Sequence, residues 1–155
     1  MRGTLVCSVT DTEEGRGALQ LAIELSGRLR LRLVLAHVSR GIGLTDAGGD
    51  ESVSMAANRE GARRTLARLA TEHGVSETAE RREAVGDEAA QLAQIAAEEA
   101  ADLILVAARP RGRLRRGFES ELADQLETET SVPVLIAAPR RSGVDRLTAA
   151  SAAGR

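Results

Sequence analysis

The chain of 155 residues has the length of one domain with a sizeable core, and its 21 Lys and Arg nearly balance its 23 Asp and Glu. The formal net charge of −2 gives no reason to expect a nucleic acid or a membrane surface as a partner. Phe118 is the single aromatic residue, so the stacking side chains on which single-strand and RNA-binding surfaces depend are missing.

Short apolar runs alternate with segments of helical period along the chain. The predicted strands cover residues 4–9, 32–38, 78–85, 103–107 and 132–138, and the predicted helices cover 15–29, 53–72, 87–100 and 119–129. Residues 39–52, rich in Gly and Asp, are predicted to form a loop. This alternation predicts a single α/β domain over residues 1–139, with a parallel sheet and helices on both of its faces. Residues 140–155 have no pattern and are expected to be a disordered tail.

Two further features suggest where the protein is found. The first residues lead straight into a strand-like segment, and no apolar run approaches the roughly 20 residues that cross a bilayer. The single cysteine, Cys7, excludes an intramolecular disulfide and a Cys-rich metal site. We therefore expect a cytoplasmic protein.

The sequence offers no catalytic constellation and no metal site. Gly15 and Gly17 follow a strand, but a dinucleotide fingerprint would need a third glycine where Gln20 stands, and no GxxxxGK[ST], HExxH or GxSxG motif occurs. Cys7 is interpreted as a small core side chain, and His37 as a histidine that contacts the backbone. No third metal ligand accompanies His37 and His73. We expect a protein that is not an enzyme.

A dense basic segment follows the most apolar predicted strand. It contains the arginines Arg109, Arg111, Arg113, Arg115 and Arg116. One interpretation is a solvated loop that Glu119, Glu121 and Asp124 neutralise. The other is a site for a phosphate-bearing anion, because guanidinium groups bind phosphate in a bidentate way and the next helix begins nearby. In that case we expect Arg109 and Arg111, nearest the strand, to face the ligand.

Several segments in order resemble the universal stress protein family. Residues 85–89 (VGDEA) and 101–106 (ADLILV) are similar to its core, with a Gly-Asp turn and a buried strand introduced by Ala-Asp. Residues 35–38 (LAHV) resemble its second strand, and 132–136 (VPVLI) its closing strand. The resemblance covers residues 4–138. It implies five parallel strands in the order 3-2-1-4-5 and a dimer. In that order residues 132–138 form an apolar edge of the sheet, so we expect a homodimer along this strand.

The resemblance also implies a nucleotide site, which this chain has changed. The family's phosphate-binding pattern falls on Ala107, Pro110, Ser120 and Glu121, none of which keeps the family's glycine or hydroxyl residue. A proline removes an amide donor and Glu121 adds a negative charge, so we expect ATP binding to be weak or lost. No cofactor is expected, with ATP or another nucleotide as the alternative.

The remaining positions implied to contact the nucleotide follow the first two strands. They are Thr10, with Asp11 as its substitute, and Val38 through its backbone. The expected function is a stress-response or signalling module without enzymatic activity. The alternatives are a sensor of another anionic nucleotide or phosphate through residues 109–116 and, less favoured, a nucleotide hydrolase in which Asp11 would bind a metal.

Overall fold

A computed structural model describes residues 3–40, 51–110, 118–119 and 121–138. The elements in chain order are β1 (Thr4–Ser8), α1 (Glu13–Leu29), β2 (Arg32–Ser39), α2 (Glu51–Glu72), β3 (Glu80–Val85), α3 (Glu88–Glu98), β4 (Leu103–Ala107), β5 (Arg109–Pro110), β6 (Phe118–Glu119), α4 (Glu121–Glu129) and β7 (Val134–Ala137). Strands β1, β2, β3, β4 and β7 form one parallel sheet in the order β3-β2-β1-β4-β7. The predicted α/β class and strand order 3-2-1-4-5 are confirmed.

The sheet separates two apolar clusters. On one face Leu19 of α1 and Leu66 and Leu69 of α2 pack with Cys7 and Leu105. On the other face α3 and α4 contribute the side chains that cover β1, β2 and β4, including Leu92, Ile95, Ala96 and Leu126. Because both faces are covered, the middle of β4 is fully buried, as its continuous apolar run predicts. The centre of the sheet is β1, and β4 lies between β1 and the edge strand β7.

Local sequence signals fix several helix ends. Thr12 accepts a hydrogen bond from the Gly15 amide and caps α1, and Asp87 accepts one from the Ala90 amide and caps α3. Beyond α2, Gly74 adopts a positive φ of 70°, which a glycine tolerates without strain. Asp102, just before β4, accepts from the Thr4 amide at 2.8 Å and so ties the start of β4 to the start of β1.

Some predicted boundaries are wrong. The last helix begins at Glu121 instead of 119, because Phe118–Glu119 pairs as an antiparallel strand with Arg109–Pro110. The second strand extends to Ser39, which pairs with Val85, so the predicted loop 39–52 starts too early. That loop also ends too late, because α2 begins at Glu51. Residues 41–50 of the loop, and the predicted tail 140–155, lie outside the described residues.

The two edges of the sheet differ in charge. The predicted third strand lies at one edge, as its alternating charged residues indicate, and begins at Glu80 because residues 75–79 form a turn. The other edge is β7, where Leu135 and Ile136 are 42% and 40% exposed. None of the helices within the described ranges has the length and apolar character to span a bilayer.

Candidate functional site

The candidate site lies at the carboxyl ends of β1, β2 and β4. The order in which the chain adds strands to the sheet changes direction between β1 and β4. The helix that follows β1, α1, lies on one face of the sheet, and the helix that follows β4, α4, lies on the other. Doubly wound sheets bind their ligands in the crevice at such a point. Thr10 and Asp11 follow β1, Val38 lies at the end of β2, and Ala107, Arg109 and Pro110 lie at the end of β4 and just beyond it.

The connection from β1 to α1 is tightly packed around Thr10. A Cβ atom built on Gly15 would lie 2.3 Å from the Thr10 carbonyl oxygen and 2.1 Å from its Oγ1, so only glycine fits there. The Thr10 hydroxyl lies 3.1 Å from that of Thr12, the cap of α1. The backbone of Thr10 is therefore held close to the first turn of α1.

Asp11 belongs to a set of four ion-paired side chains that we call the α1–α2 charge cluster: Asp11, Arg16, Arg68 and Glu72. Arg16 donates to Asp11 Oδ1 at 2.9 Å, and Arg68 donates to Oδ2. Glu72 contacts both arginines, at 3.5 Å from Arg16 and 3.1 Å from Arg68. The hydrogen bonds from Arg16 and then Arg68 hold the pKa of Asp11 below its ordinary value. Each carboxylate oxygen of Asp11 thus accepts a hydrogen bond from one arginine.

The end of β2 is anchored to the end of β1 through His37. Its Nδ1 donates to the Val9 carbonyl oxygen at 2.7 Å, and the Val9 amide donates to the Ala36 carbonyl oxygen at 2.7 Å. The interpretation of His37 as a backbone-contacting histidine is confirmed. The neighbouring Val38 is partly buried against the α3 and α4 side of the core.

Beyond β4 lie the two short strands β5 and β6, which pair in antiparallel orientation. Ala107 is half-buried at the end of the strand and Ala108 is fully buried, with its amide bonded to the Ala137 carbonyl oxygen at 3.0 Å. The pairing of β5 with β6 places Pro110 opposite Phe118. Glu121 is exposed and opens the first turn of α4.

Parts of the predicted phosphate segment and of the arginine segment are not covered. Arg111 and Ser120 lie outside the described residues, as do Arg113, Arg115 and Arg116. For Arg109 the backbone alone is described, and it opposes Glu119 in the register of β5 and β6. The expectation that Arg109 and Arg111 face a ligand therefore stays a prediction.

Sequence reasoning missed two side-chain pairs at this end of the sheet. Arg68 reaches Asp11 from a position 57 residues away along the chain, and nothing in the local sequence of either residue indicates that pairing. The buried Ser8 donates to Glu88 at the start of α3, at a long 3.5 Å. Arg68 also pairs with Glu72, four residues further along α2, a spacing that places the two side chains on one side of the helix.

The described residues give no support to a metal site or a reactive thiol. Across the described ranges, no three His, Cys, Asp or Glu side chains are grouped as a metal ion would need. Burial of Cys7 raises the pKa of its thiol to about 12, so this side chain is an unreactive part of the core, as predicted.

Comparisons with known proteins agree with this architecture. The model of the universal stress protein family matches residues 1–138. UspA, the universal stress protein from Lactobacillus plantarum, superposes with a TM-score of 0.69 at 14% identity, over 88% of this chain and 99% of that one. A universal stress protein family member from Burkholderia pseudomallei gives a TM-score of 0.65 at 25% identity, over 88% and 96% of the two chains.

A third solved structure contains a ligand. It is a universal stress protein in complex with cAMP, with a TM-score of 0.57, 19% identity, and coverage of 89% of this chain and 98% of that one. A comparison with curated proteins found no match. With a family model covering nearly all of the described fold, and with neighbours that share its architecture, the chain belongs to the universal stress protein family.

Proposed function

We propose that this chain is a cytoplasmic stress-response or signalling module without enzymatic activity, in which ATP binding is weakened or lost. The observation that carries the proposal is the start of α4, where Glu121 supplies a carboxylate at a position that the family resemblance assigns to phosphate binding. Pro110 supports it, because a proline has no amide hydrogen to donate to a phosphate oxygen. Asp11 supports it as well, because its carboxylate is paired with two guanidinium groups.

The charge at position 121 sets the size of the expected loss in the free energy of ATP binding. A carboxylate 4 Å from a phosphate oxygen repels it by about 4 kcal/mol at an effective dielectric constant near 20. A loss of about 4 kcal/mol turns a micromolar dissociation constant into a millimolar one. Titration calorimetry with Mg-ATP should therefore show no micromolar binding to the wild-type chain.

A pair of matched variants tests the role of Glu121. Glu121→Ser should tighten Mg-ATP binding at least tenfold, whereas Asp124→Ser, an exposed carboxylate further along α4, should change it much less. Micromolar binding by the wild type would overturn the proposal. Equal effects of the two substitutions would show that only the total charge of α4 matters.

We also propose that two copies associate along β7. The strand has no charged side chain and leaves Leu135 and Ile136 about two-fifths exposed, whereas the opposite edge strand β3 contains Glu80, Arg81, Arg82 and Glu83. An apolar edge invites pairing and a charged edge discourages it. Pairing of β7 with its own copy would give a two-fold dimer.

Light scattering tests the dimer. The wild type should be dimeric at micromolar concentration, and Ile136→Lys should be monomeric. Met55→Lys is the control, because Met55 on α2 is also 40% exposed, and this variant should stay dimeric. A wild type that is monomeric at high micromolar concentration would contradict the proposal.

A second candidate function is recognition of a different anion by residues 109–116. The position of Arg109 favours it, because the first arginine of the segment lies just beyond the carboxyl end of β4, where doubly wound sheets bind their ligands. Phosphate, nucleotides and cAMP should raise the melting temperature of the wild type more than that of the Arg109→Ala/Arg111→Ala double variant. If no anion distinguishes the two proteins, the segment is a solvated basic loop.

The hydrolase alternative is less well supported. Asp11 was its candidate metal ligand, and a metal ion would have to compete with Arg16 and Arg68 for the same two oxygens.

A further inference from the structure

The edge strand β7 is incompletely covered on the face of the sheet where α1 and α2 pack. On this face α2 contacts β2 and β3, and α1 contacts β1, β4 and β7. Ala137 of β7 is buried in the apolar cluster beneath these helices. Leu135 points to the same face, because side chains alternate along a strand, yet it is 42% exposed. The surface beside α1 is therefore apolar and open at β7.

One side of α1 continues this apolar surface. Leu21, Leu25 and Leu29 are spaced by four residues and form a stripe along the helix. Leu21 and Leu25 are half-buried against the core, and Leu29 is 57% exposed. Arg16 contacts Glu72 of α2, and Leu25 lies about two and a half turns further on, so it is on the side of α1 away from α2. In the strand order that side is the one nearest β7. The α1–β7 flank is the set Leu21, Leu25, Leu29 and Leu135.

The sequence beyond β7 contains the boundary signals of a short helix. Ser142 and Asp145 have the S-x-x-D spacing of a capping box, which marks the start of a helix. Gly154 is the residue type that most often follows a helix end. Four of the residues between these signals are alanine, the strongest helix former. These local signals favour a helix over residues 143–153.

Such a helix would have one apolar side and a length that matches the flank. Val144, Leu147 and Ala150 are spaced by three residues and share one side. Residues 143–153 would extend about 16 Å, and the stripe from residue 21 to residue 29 extends about 12 Å. A helix of about 11 residues is marginal in water, so it needs a surface on which to fold. Without that surface the segment is the tail without structure that its low apolar content predicts.

We propose that residues 143–153 dock as an amphipathic helix on the α1–β7 flank of their own chain, with Val144 and Leu147 toward the flank. An apolar stripe beside a neighbouring strand is a surface that fits the apolar side of a helix. The chain leaves β7 at Ala137, next to this flank, and only a few residues separate it from position 143. So short a connection gives the segment an effective concentration of about millimolar, which favours it over a free helix of the same kind.

This inference goes beyond the proposed function, because it involves neither ATP nor the arginine segment. It is also compatible with the proposed dimer. The docked helix would cover Leu135 on the α1 face, whereas Ile136 points to the opposite face, where α4 packs. The hydrogen-bonding edge of β7 would stay available to a second copy.

Hydrogen exchange measured by mass spectrometry on the full chain tests the docking. Burial of a leucine side chain changes an equilibrium constant by about tenfold or more, so the amides of residues 143–153 should exchange at least about tenfold more slowly than in an unfolded chain. Leu147→Asp should abolish this protection. The matched control is Ala149→Asp, which makes the same change in charge on the opposite side of the helix and should keep most of the protection.

A second pair of variants tests the flank itself. Leu29→Asp places a charge on the flank at a side chain that is already 57% exposed, so the variant should fold. It should speed the exchange of residues 143–153 without changing that of β4. Met55→Asp is the control, because Met55 is 40% exposed on α2 and lies outside the flank, and it should leave the exchange of the segment unchanged.

Four results would overturn the inference. Exchange of residues 143–153 at the rate of an unfolded chain would show that the segment does not dock. Equal effects of Leu147→Asp and Ala149→Asp would show that no particular side of it is buried. Protection that survives Leu29→Asp would place the segment on another surface. Protection that falls on dilution would show that it docks on a second copy instead of its own chain.

Discussion

Glu99→Gln removes one negative charge from the ion-pair cluster at the amino ends of β2 and β3. Glu99 follows α3, and its side chain is only 12% exposed. It pairs with Arg32 at 2.8 Å and with Arg82, and its carbonyl oxygen also accepts from Arg32 at 3.0 Å. The cluster therefore ties the end of α3 to the edge strand β3 and to its neighbour β2.

The expected loss of stability follows from these contacts. Hydrogen bonds to charged groups contribute about 1.5–3 kcal/mol each, and the glutamine amide keeps one acceptor oxygen. Arg32 retains Glu80 at 2.8 Å and Arg82 retains Glu98, so neither arginine is left without a partner. We expect a net loss of about 2 kcal/mol in the free energy of unfolding, or about 4–8 °C in melting temperature for a chain of this size.

The lowered pKa of Glu99 determines how its contribution to stability changes with pH. Burial raises the pKa of Glu99, but the hydrogen bonds from Arg32 and Arg82 outweigh it and bring the pKa below its ordinary value of 4.5. The stabilisation is therefore full above about pH 4.5 and is lost as the pH falls through the pKa of the folded state. Urea denaturation at a series of pH values should show the wild type and Glu99→Gln converging in acid.

Glu98→Gln is the control for this prediction. Glu98 is the neighbouring residue, is 44% exposed and pairs with Arg82 but not with Arg32. Its replacement should cost less than that of Glu99. Equal losses from the two substitutions, or a difference between wild type and Glu99→Gln that does not change between neutral pH and pH 3, would refute the reasoning.

Two further predictions concern packing. Gly15→Ala should lower the free energy of unfolding by about 1–3 kcal/mol, because its Cβ would collide with the Thr10 backbone. Gly17→Ala, with no atom within 4 Å of its Cβ, should instead raise it by up to about 1 kcal/mol through helix propensity. If both alanines destabilise equally in urea denaturation, the close approach at Thr10 is not the cause. Leu105→Ala should cost about 2–5 kcal/mol, because Leu105 is fully buried between β1 and β7. A loss below about 1 kcal/mol would show that β4 is not packed as described.

The parts of the fold that the sequence predicts well are those set by local chemistry. Both ends of β4 were predicted correctly, because its side chains are apolar throughout, as burial on both faces of the sheet requires. The start of α3 was predicted to within one residue because Asp87 satisfies an amide only three residues ahead. The start of α4 was misplaced because residues 118–119 pair with residues 109–110, and such pairing leaves no periodic signal in two-residue strands.

The candidate site was predicted only in its position along the chain. The ends of β1, β2 and β4 follow from the order of strands, so Thr10, Asp11, Val38 and Ala107 could be placed at one edge of the sheet. The state of Asp11 could not be predicted, because Arg68 is far away in sequence and reaches it only through the packing of α2 beside α1. Sequence identifies the acceptor, but tertiary structure decides which side chains pair with it.

Native mass spectrometry of the gently purified chain tests the central claim most directly, because one spectrum reports both the number of copies and any ligand they retain. We predict the mass of a dimer with no added mass of ATP on either copy, in a buffer that contains Mg-ATP at about 0.1 mM, well below the millimolar dissociation constant expected for this site. A spectrum in which each copy holds one ATP would contradict the account.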